Sequence, residues 1–294
     1  MSKSKIALAL ALSIACASAS AGPMNATELT LFRDGDRASW LAGQNILLND
    51  RFDNGDAFHG PAFPNGDIST YSLRDLADGA NPALAAREEG GSLLLDANYA
   101  VASVNASGGG LAKSLKLRLS TNTTDVGSGL DKSRSFAAAL DLSLQSLPEL
   151  GQTWGLRLSD SFSNTNDVIE LFVHTNTQGT WIQFRKQDFL AQSITVLGAT
   201  ALNMPTGANG LILALSHDEA NSDKIFGNYG YSDDNGLMAN TLTTFATSTT
   251  AFHGENHTRI ELKATQAVPE PSSWALWAAG AGVLLARRRR SRQD

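Results

Sequence analysis

Short stretches of alternating apolar and polar residues constrain this 294-residue chain more than any other feature. In the clearest stretch, from Phe136 to Leu144, every second residue is apolar, and 111–119 and 211–215 repeat the pattern. A period of two places one face of a β-strand in a core and the other in water. The body of the chain has no sustained 3.6-residue period, so the pattern predicts strands rather than helices.

The remaining alternating or apolar stretches are separated by turn-forming Asn, Asp, Gly and Ser residues. They predict further strands at 154–158, 168–174, 181–186, 193–197, 224–231 and 258–263. Asn235-Gly236 is a strong hairpin signal, and Thr241 to Thr250 is expected to form an exposed strand. One or two helical turns are expected around Pro82 to Arg87. Many short strands with regular turns predict an all-β antiparallel sandwich.

The N-terminus has the three parts of a secretory signal peptide. A short basic region ending at Lys5 precedes the apolar run Ile6 to Ala15, and the small residues of Ala19-Ser-Ala21 form a cleavage site before Gly22. Residues 1–21 are therefore predicted to be removed on export. Ser13-Ile-Ala-Cys16 leaves a lipoprotein signal as the alternative, although a serine stands where a leucine is usual.

The C-terminus carries a second apolar segment. Residues 272–286 contain no charged side chain and would span roughly 22 Å as a helix, which is short for a hydrocarbon core of about 30 Å. Trp274 and Trp277 suit one interface, and the other end carries a basic cluster, Arg287, Arg288, Arg289 and Arg290. Arginine stems extend the apolar length, so one transmembrane helix with cytoplasmic arginines is predicted. A plain tail anchor and a buried helix of a soluble domain are the alternatives.

Three residues directly before this helix make the segment more specific. Pro269, Glu270 and Pro271, followed by a short apolar helix and terminal arginines, resemble the PEP-CTERM sorting signal of Gram-negative bacteria. The resemblance covers 268–294. It implies recognition by an exosortase, a membrane protease that would cut near Pro-Glu-Pro. The body would pass transiently through the inner membrane to the cell surface or extracellular matrix.

Residues 22–266 remain as one predicted β-sandwich domain. The two end segments hold seven basic and two acidic residues, so the rest has 16 basic and 27 acidic residues and a net charge near −11. Such a charge disfavours nucleic-acid binding. Cys16 is the only cysteine, and its loss with the signal would exclude a disulfide framework, a cysteine nucleophile and a thiolate metal site.

The order of motifs along the body resembles the concanavalin A-like lectin/glucanase jelly roll. It opens with Asn49 to Asp56 and continues through Gly90 to Asp96, and two late strands follow at 211–218 and 224–231. The resemblance implies a jelly-roll sandwich in which a strand with ligand-facing residues precedes a strand of alternating aromatics. Trp154, Trp181, Tyr229 and Tyr231 are then glycan-binding candidates, with core or rim aromatics as the alternative.

A glucanase of that fold carries two glutamates flanking an aspartate on one face of one strand. The only similar stretch here is 166–174, where Asp167 and Glu170 are three residues apart and would face opposite sides. Catalysis of that type is therefore not expected.

Carboxylates elsewhere raise the question of a metal ion. Asp50, Asp53 and Asp56 cluster, and their oxygens suit Ca²⁺, although a turn built from Asp53 to Asp56 is the alternative. His217 stands beside two acidic residues and is interpreted as part of a solvated loop.

The sequence thus predicts an exported surface or matrix protein, non-enzymatic, that holds exopolysaccharide. The expected partners are an exosortase-type protease, the membrane and exopolysaccharide, with no nucleic acid. A surface glycoside hydrolase with an unrecognised acid pair and a structural adhesin that contacts proteins are the alternatives.

Overall fold

A computed structural model of the chain describes residues 22–104, 110–120, 130–131, 133–160, 168–188, 191, 193–217, 224–250 and 257–268. Two antiparallel β-sheets, A and B, make up this part of the chain, which confirms the all-β class. The predicted signal peptide and the predicted helix at 272–286 lie outside the described residues. Within those residues, no helix has the length and apolar character needed to cross a bilayer.

Strands are numbered in chain order, and each sheet is given from one edge to the other. Sheet A consists of β17 (Gly236–Leu237), β16 (Lys224–Asp233), β15 (Gly210–His217), β10 (Phe136–Ser143), β1 (Met24–Arg33), β6 (Leu93–Leu95) and β5 (Ala86–Glu88). Three further strands pair at its sides, namely β18 (Thr243–Thr244) and β19 (Thr249–Thr250) with β16, and β2 (Ile46–Asp50) with β1.

Sheet B consists of β14 (Ser193–Ala201), β13 (Gly179–Asp188), β12 (Val168–Asn176), β11 (Gln152–Asp160), β20 (His257–Ala267), β8 (Leu111–Ser120), β4 (Ile68–Arg74) and β3 (His59–Ala62). Strand β7 (Ala102–Val104) pairs with β8, and β9 (Leu130–Asp131) pairs with β20. The described helices are short: α1 (Arg37–Leu41), α2 (Pro82–Ala85) and a 3₁₀ turn (Ala97–Tyr99).

The core lies between the two sheets, because the long interior strands turn their large apolar residues inward. On β10, Phe136, Ala138, Leu140 and Leu142 are all buried, as the period of two predicts. The sheets approach closely at Gly227, where an added Cβ would lie 2.7 Å from the Cγ of Phe184 on sheet B. The predicted strands are therefore confirmed, and their inward residues form the two inner faces of a sandwich.

Three local expectations have different outcomes. The helical turn around Pro82 is confirmed by α2, and the Asn235-Gly236 signal by the hairpin that joins β16 to β17. The segment 241–250 forms two separate two-residue strands, β18 and β19, instead of one.

Strand β1 was not predicted, although it lies inside sheet A between β10 and the pair β2 and β6. A bulge between Ala26 and Glu28 shifts its register, so its inward residues do not keep a strict period of two. Strand β20 lies between β11 and β8 in the middle of sheet B. Among the described residues, the first and the last strand are thus both interior strands.

Candidate functional site

A groove with a volume of about 270 Å³ lies on the outer face of sheet A. Its floor consists of outward-facing residues of β1, β10, β15 and β16, and α1 and the segment 236–242 form its two walls. We call this site the outer groove, lined by Glu28, Thr30, Phe32, Arg37, Trp40, Leu41, Ala137, Ala139, Asp141, Ile212, Ala214, Ser216, Asn228, Gly236, Leu237 and Leu242.

The floor of the groove lies close to the backbone of sheet A, because small side chains occupy neighbouring outward positions. Ala139 of β10 lies opposite Ala214 of β15, and Ala137 lies opposite Ser216. Long side chains at these positions would fill the space above the sheet. The large residues of the same strands point inward, so the alternation that builds the core also hollows the outer face.

One wall is α1, a single helical turn held by its cap. The carboxylate of Asp36 accepts from the backbone N–H of Ser39, and the Ser39 hydroxyl is within 2.9 Å of the Asp36 N–H, which forms a capping box. The indole N–H of Trp40 donates to the carbonyl of Asp34 at 2.7 Å. The Trp40 ring lies 6.3 Å from the ring of Phe32, centroid to centroid. These contacts fix an aromatic side chain on the groove wall.

The other wall is joined to α1 across the groove by a chain of hydrogen bonds. Arg37 donates to the Thr244 hydroxyl at 2.6 Å and to the carbonyl of Leu242 at 3.3 Å. Thr244 donates to the side-chain oxygen of Asn228 at 2.7 Å, and the Asn228 amide donates to the Ser216 hydroxyl at 3.0 Å. The polar groups at this end are therefore already oriented.

Two acidic residues are cross-strand neighbours on the floor of the groove. Glu28 of β1 and Asp141 of β10 are paired residues of the ladder, which places their Cβ atoms about 5 Å apart. Burial raises the pKa of Asp141 to about 6; the hydrogen bond from Ser232 opposes this shift, and the charge of Glu28 adds to it. Glu28 accepts hydrogen bonds from Thr30 at 2.7 Å and from Asn49 at 3.0 Å.

The Asp141 side chain is held between the Ser232 hydroxyl and the backbone of Gly210. The Ser232 hydroxyl donates to its two oxygens at 3.0 and 2.8 Å. A Cβ at Gly210 would lie 2.0 Å from the Ser232 Oγ and 2.5 Å from Asp141 Oδ1. Only glycine fits here without displacing both groups.

The predicted glycan-binding aromatics do not come together. Trp154 is only 2 % exposed and points into the core from β11, so its ring cannot meet a sugar, which corrects that assignment. Tyr231 is likewise buried, and Tyr229 is half-buried against Phe245 with ring centroids 5.4 Å apart. Trp181 is half-buried on sheet B, away from the other three. The alternation that indicated strands turned Trp154, Tyr229 and Tyr231 inward.

The three predicted calcium ligands do not form one metal site, although Asp50 and Asp53 line the same cavity. Asp50 is buried and accepts hydrogen bonds from the Tyr71 hydroxyl at 2.7 Å and the Phe52 N–H at 3.0 Å, and burial raises its pKa. Asp56 instead bonds the Phe58 N–H and lies 2.8 Å from the His59 ring. In the part of the chain that the structure describes, Asp53 included, no three His, Cys, Asp or Glu residues are arranged to hold a metal ion.

His217 is not a loop residue. It is buried at the end of β15, stacks on Phe136 with centroids 5.2 Å apart, and its Nδ1 lies 3.1 Å from the carbonyl of Arg134. The interpretation as a solvated loop was therefore wrong for His217; its acidic neighbours lie outside the described residues.

Glu170, the candidate from the glucanase comparison, belongs to an ion-pair network on the outer face of sheet B. Lys263 approaches one of its oxygens at 2.6 Å and Arg185 the other at 2.6 Å. Burial alone would raise the pKa of Glu170, but Lys263, Arg185 and Arg157 hold it well below its usual range. Asp167 lies outside the described residues, so the expected arrangement of that pair stays a prediction.

Sequence reasoning missed the groove residues Glu28, Trp40 and Asp141. The outward position of Asp141 between Leu140 and Leu142 is readable from the alternation, and the Asp36-x-x-Ser39 cap marks the turn that carries Trp40. Their proximity is not readable, because it depends on which strand pairs with β10.

The PEP-CTERM protein-sorting motif matches residues 267–290. The chain therefore carries a PEP-CTERM sorting motif, as the Pro269-Glu270-Pro271 pattern predicted, and this motif implies an exported protein that is processed by an exosortase, a membrane protease. No curated protein matches the sequence.

One solved structure with some likeness is the winged bean acidic lectin in complex with methyl-α-D-galactose. It shares 10 % sequence identity, and the alignment covers 74 % of this chain and 84 % of the lectin chain with a TM-score of 0.33.

Proposed function

We propose that this chain is an exported, non-enzymatic surface or matrix protein whose body binds exopolysaccharide in the outer groove. The observation that carries the proposal is the combination, in one cavity, of the Trp40 ring with fixed polar groups above a floor of small residues. Binding pockets usually have an apolar lining with a few positioned polar groups. A sugar matches this composition, since it has an apolar ring face and a polar rim.

Different residues of the groove would contact the apolar face and the polar rim of a sugar. Trp40 and Phe32 offer aromatic surface to the apolar face of a sugar ring. Glu28 offers an oriented carboxylate to hydroxyls, because Asn49 already fixes its position, and the buried Asn228 holds the hydroxyls of Thr244 and Ser216 in place. This pre-organisation lowers the entropy lost when a ligand binds.

Size and charge narrow the ligand class. A cavity of about 270 Å³ lies just below the range of about 300–1,000 Å³ that is usual for ligand pockets, so it suits one or two sugar units of a longer polymer. Two neighbouring carboxyl groups, Glu28 and Asp141, outnumber the one cationic lining residue, Arg37, and therefore disfavour a uronic acid. A neutral or amino sugar is therefore the preferred unit.

Glycan-array binding of the full chain tests this proposal, with affinities then measured by calorimetry. Trp40→Ala is expected to abolish binding. Trp181→Ala, which removes a half-buried tryptophan from the outer face of sheet B, is the matched control and should leave binding intact. Binding that survives Trp40→Ala and is lost with Trp181→Ala would place the site on the other sheet.

A second candidate function is favoured by the Glu28–Asp141 pair. Retaining glycoside hydrolases use two carboxyl groups about 5 Å apart, one protonated as acid and one ionised as nucleophile. A pKa of about 6 would keep Asp141 partly protonated in mildly acidic medium, which suits the acid. The groove would then be an active site with an acid pair contributed by two strands.

Release of reducing ends from the bound polysaccharide separates the two candidates. Turnover that is lost in both Glu28→Gln and Asp141→Asn would establish the hydrolase and overturn the binding role. Binding without turnover supports the primary proposal. If neither is found, a structural adhesin that contacts proteins becomes the better interpretation.

For the tail, we expect cleavage near Pro269-Glu270-Pro271 and transfer of the body to the cell surface or matrix. The intact mass of the protein recovered from cells and medium tests this. A C-terminus at or near those residues supports processing. A mature pool that still ends at Asp294 would reduce residues 268–294 to a simple anchor.

A further inference from the structure

The sorting segment leaves the folded body without a linker. Strand β20 ends at Ala267, whose N–H donates to the carbonyl of Gly151, and the next N–H, that of Val268, donates to the carbonyl of Leu111 at 2.8 Å. Pro269 follows immediately. The body is thus fixed in place up to the first residue of the motif.

This geometry limits how far the body can stand from a membrane that holds the tail. Four residue steps separate Val268 from Ser272, where the uncharged stretch begins, and a fully extended chain covers roughly 14 Å in four steps. The polar interface of a bilayer is itself about 5–7 Å thick on each side. The end of the sandwich that carries Val268 therefore lies within roughly 14 Å of the hydrocarbon core whenever the apolar segment is inserted, which is close enough for it to touch the polar interface.

That end of the sandwich, which we call the tail pole, is formed by the end of β20, the starts of β8 and β11, the end of β7, and the connections 144–151 and 202–209. Five of the twelve large hydrophobic side chains that the described residues expose lie there: Val104, Leu111, Leu147, Leu150 and Met204. Val104 is 72 % and Leu150 is 68 % exposed. Exposed hydrophobic side chains gathered at one end of a domain are typical of a surface that contacts a membrane or another protein.

The opposite end of sheet B has a different character. Strand β13 ends there at Asp188. An anionic bilayer repels an acidic residue and accepts apolar ones, so the tail pole is the end that suits its interface.

We propose that the tail pole is a lipid-docking surface, on which the body rests against the outer leaflet of the inner membrane while the sorting segment is inserted. The occupant is the interfacial zone of the bilayer, entered by Val104, Leu111 and Leu150 in the manner of a peripheral protein. Docking would hold Pro269-Glu270-Pro271 at the depth where a membrane protease works. This inference rests on the proposed membrane role of the tail but is independent of the glycan site.

Single-cysteine labelling tests the surface directly, because the chain has no cysteine after Cys16. Leu150→Cys and Val104→Cys variants of the signal-cleaved chain, 22–294, are labelled with an environment-sensitive nitrobenzoxadiazole dye. They are reconstituted in vesicles of phosphatidylethanolamine and phosphatidylglycerol. The matched control is Ile68→Cys, since Ile68 is 56 % exposed at the far end of sheet B.

Both tail-pole labels are expected to shift their emission to the blue and to be quenched by spin-labelled lipids, whereas the Ile68 label does neither. Equal signals from all three positions, or none from any while the protein floats with the vesicles, would overturn the docking surface and leave the tail as an anchor. Failure to float would overturn the membrane role of the tail as well. A shift that requires membranes containing an exosortase would identify a protein partner instead of lipid.

Discussion

The outer faces of the two sheets are built from the same kind of alternating strand, yet they present opposite surfaces. The outer face of sheet A has alanines at its centre and leaves a groove with two carboxyl groups on its floor. The outer face of sheet B carries an ion-pair ladder of long side chains, Arg118, Glu261, Arg157, Lys263, Glu170 and Arg185. Side-chain length at the outward positions decides whether a sheet face is open or closed.

The two faces also use their charges differently. On sheet B, Glu170 and Glu261 each lie between cationic side chains, and Arg185 also lies 4.5 Å above the centre of the Phe172 ring. These groups are occupied with each other and serve stability. On sheet A, Asp141 has no cationic partner among the described hydrogen bonds and ion pairs, and its carboxyl stays available for proton or ligand binding.

The largest loss of stability is expected from Glu170→Gln, which removes the charge of the side chain but keeps its shape. Loss of one partner leaves buried cations uncompensated, at a cost of about 3–5 kcal/mol in the free energy of unfolding. Because its neighbours lower the pKa of Glu170, this stabilisation is present above the unfolded pKa of about 4.3 and is lost as the pH falls below it.

Urea unfolding of the two proteins at neutral pH measures this effect. Glu89→Gln is the control, because the exposed Arg87–Glu89 pair should contribute no more than about 1 kcal/mol. A loss in Glu170→Gln as small as in this control would mean that the ladder on sheet B does not stabilise the fold, which would remove the contrast between the faces.

Asp141→Asn, in contrast, is expected to raise the free energy of unfolding at neutral and alkaline pH. The folded pKa of Asp141 lies about two units above the value of about 3.9 for an exposed aspartate, so ionising it costs the folded state up to about 3 kcal/mol. Stability from this group is fully present below about pH 4 and is lost as the pH rises to about 6. The variant should therefore be more stable than the parent at pH 8 and similar to it at pH 4. An equal difference at both pH values would point to packing rather than charge.

A smaller loss is expected from Gly210→Ala. The new methyl group overlaps Ser232 Oγ and Asp141 Oδ1, and relief by local shifts costs about 1–3 kcal/mol. Adding Ser232→Ala should restore part of the stability by removing one clash. Gly110→Ala, where an added Cβ meets nothing within 4 Å, is the control. If both single variants unfold at the same urea concentration, the close approach at the groove is not a real constraint.

The smallest change in stability is expected from Ala139→Leu, within about 1 kcal/mol, because the new side chain enters open space. It should nevertheless block glycan binding by filling the floor of the groove. Gln183→Leu places the same side chain at an outward position of β13 on sheet B and should leave binding unchanged. Glycan binding that survives Ala139→Leu would show that the groove is not the site.

Sequence reasoning succeeded where the signal was local. The inward residues of β10 follow one period along one strand, and the sorting motif occupies consecutive residues, so neither needed knowledge of strand pairing. Strand β1 was missed because its bulge interrupts the period. The groove was missed for a different reason: Glu28 and Asp141 are far apart in sequence and meet only because β1 pairs with β10.

The positions of the aromatic candidates were predicted only in part. The period of two correctly placed Tyr229 and Tyr231 on one face of β16, but a period does not say whether that face is the core or the solvent side. Trp40 lies on a five-residue helix, too short to produce a helical pattern.

The position of β20 has a consequence for the order in which the body can be completed. Since β20 joins β11 to β8, the described part of sheet B stays in two unconnected halves until the stretch 257–267 pairs with both. The matched sorting motif begins at residue 267, so the strand that closes the sheet leads directly into that motif. In a chain made from its N-terminus, the last strand of the sheet and the sorting motif therefore become available together.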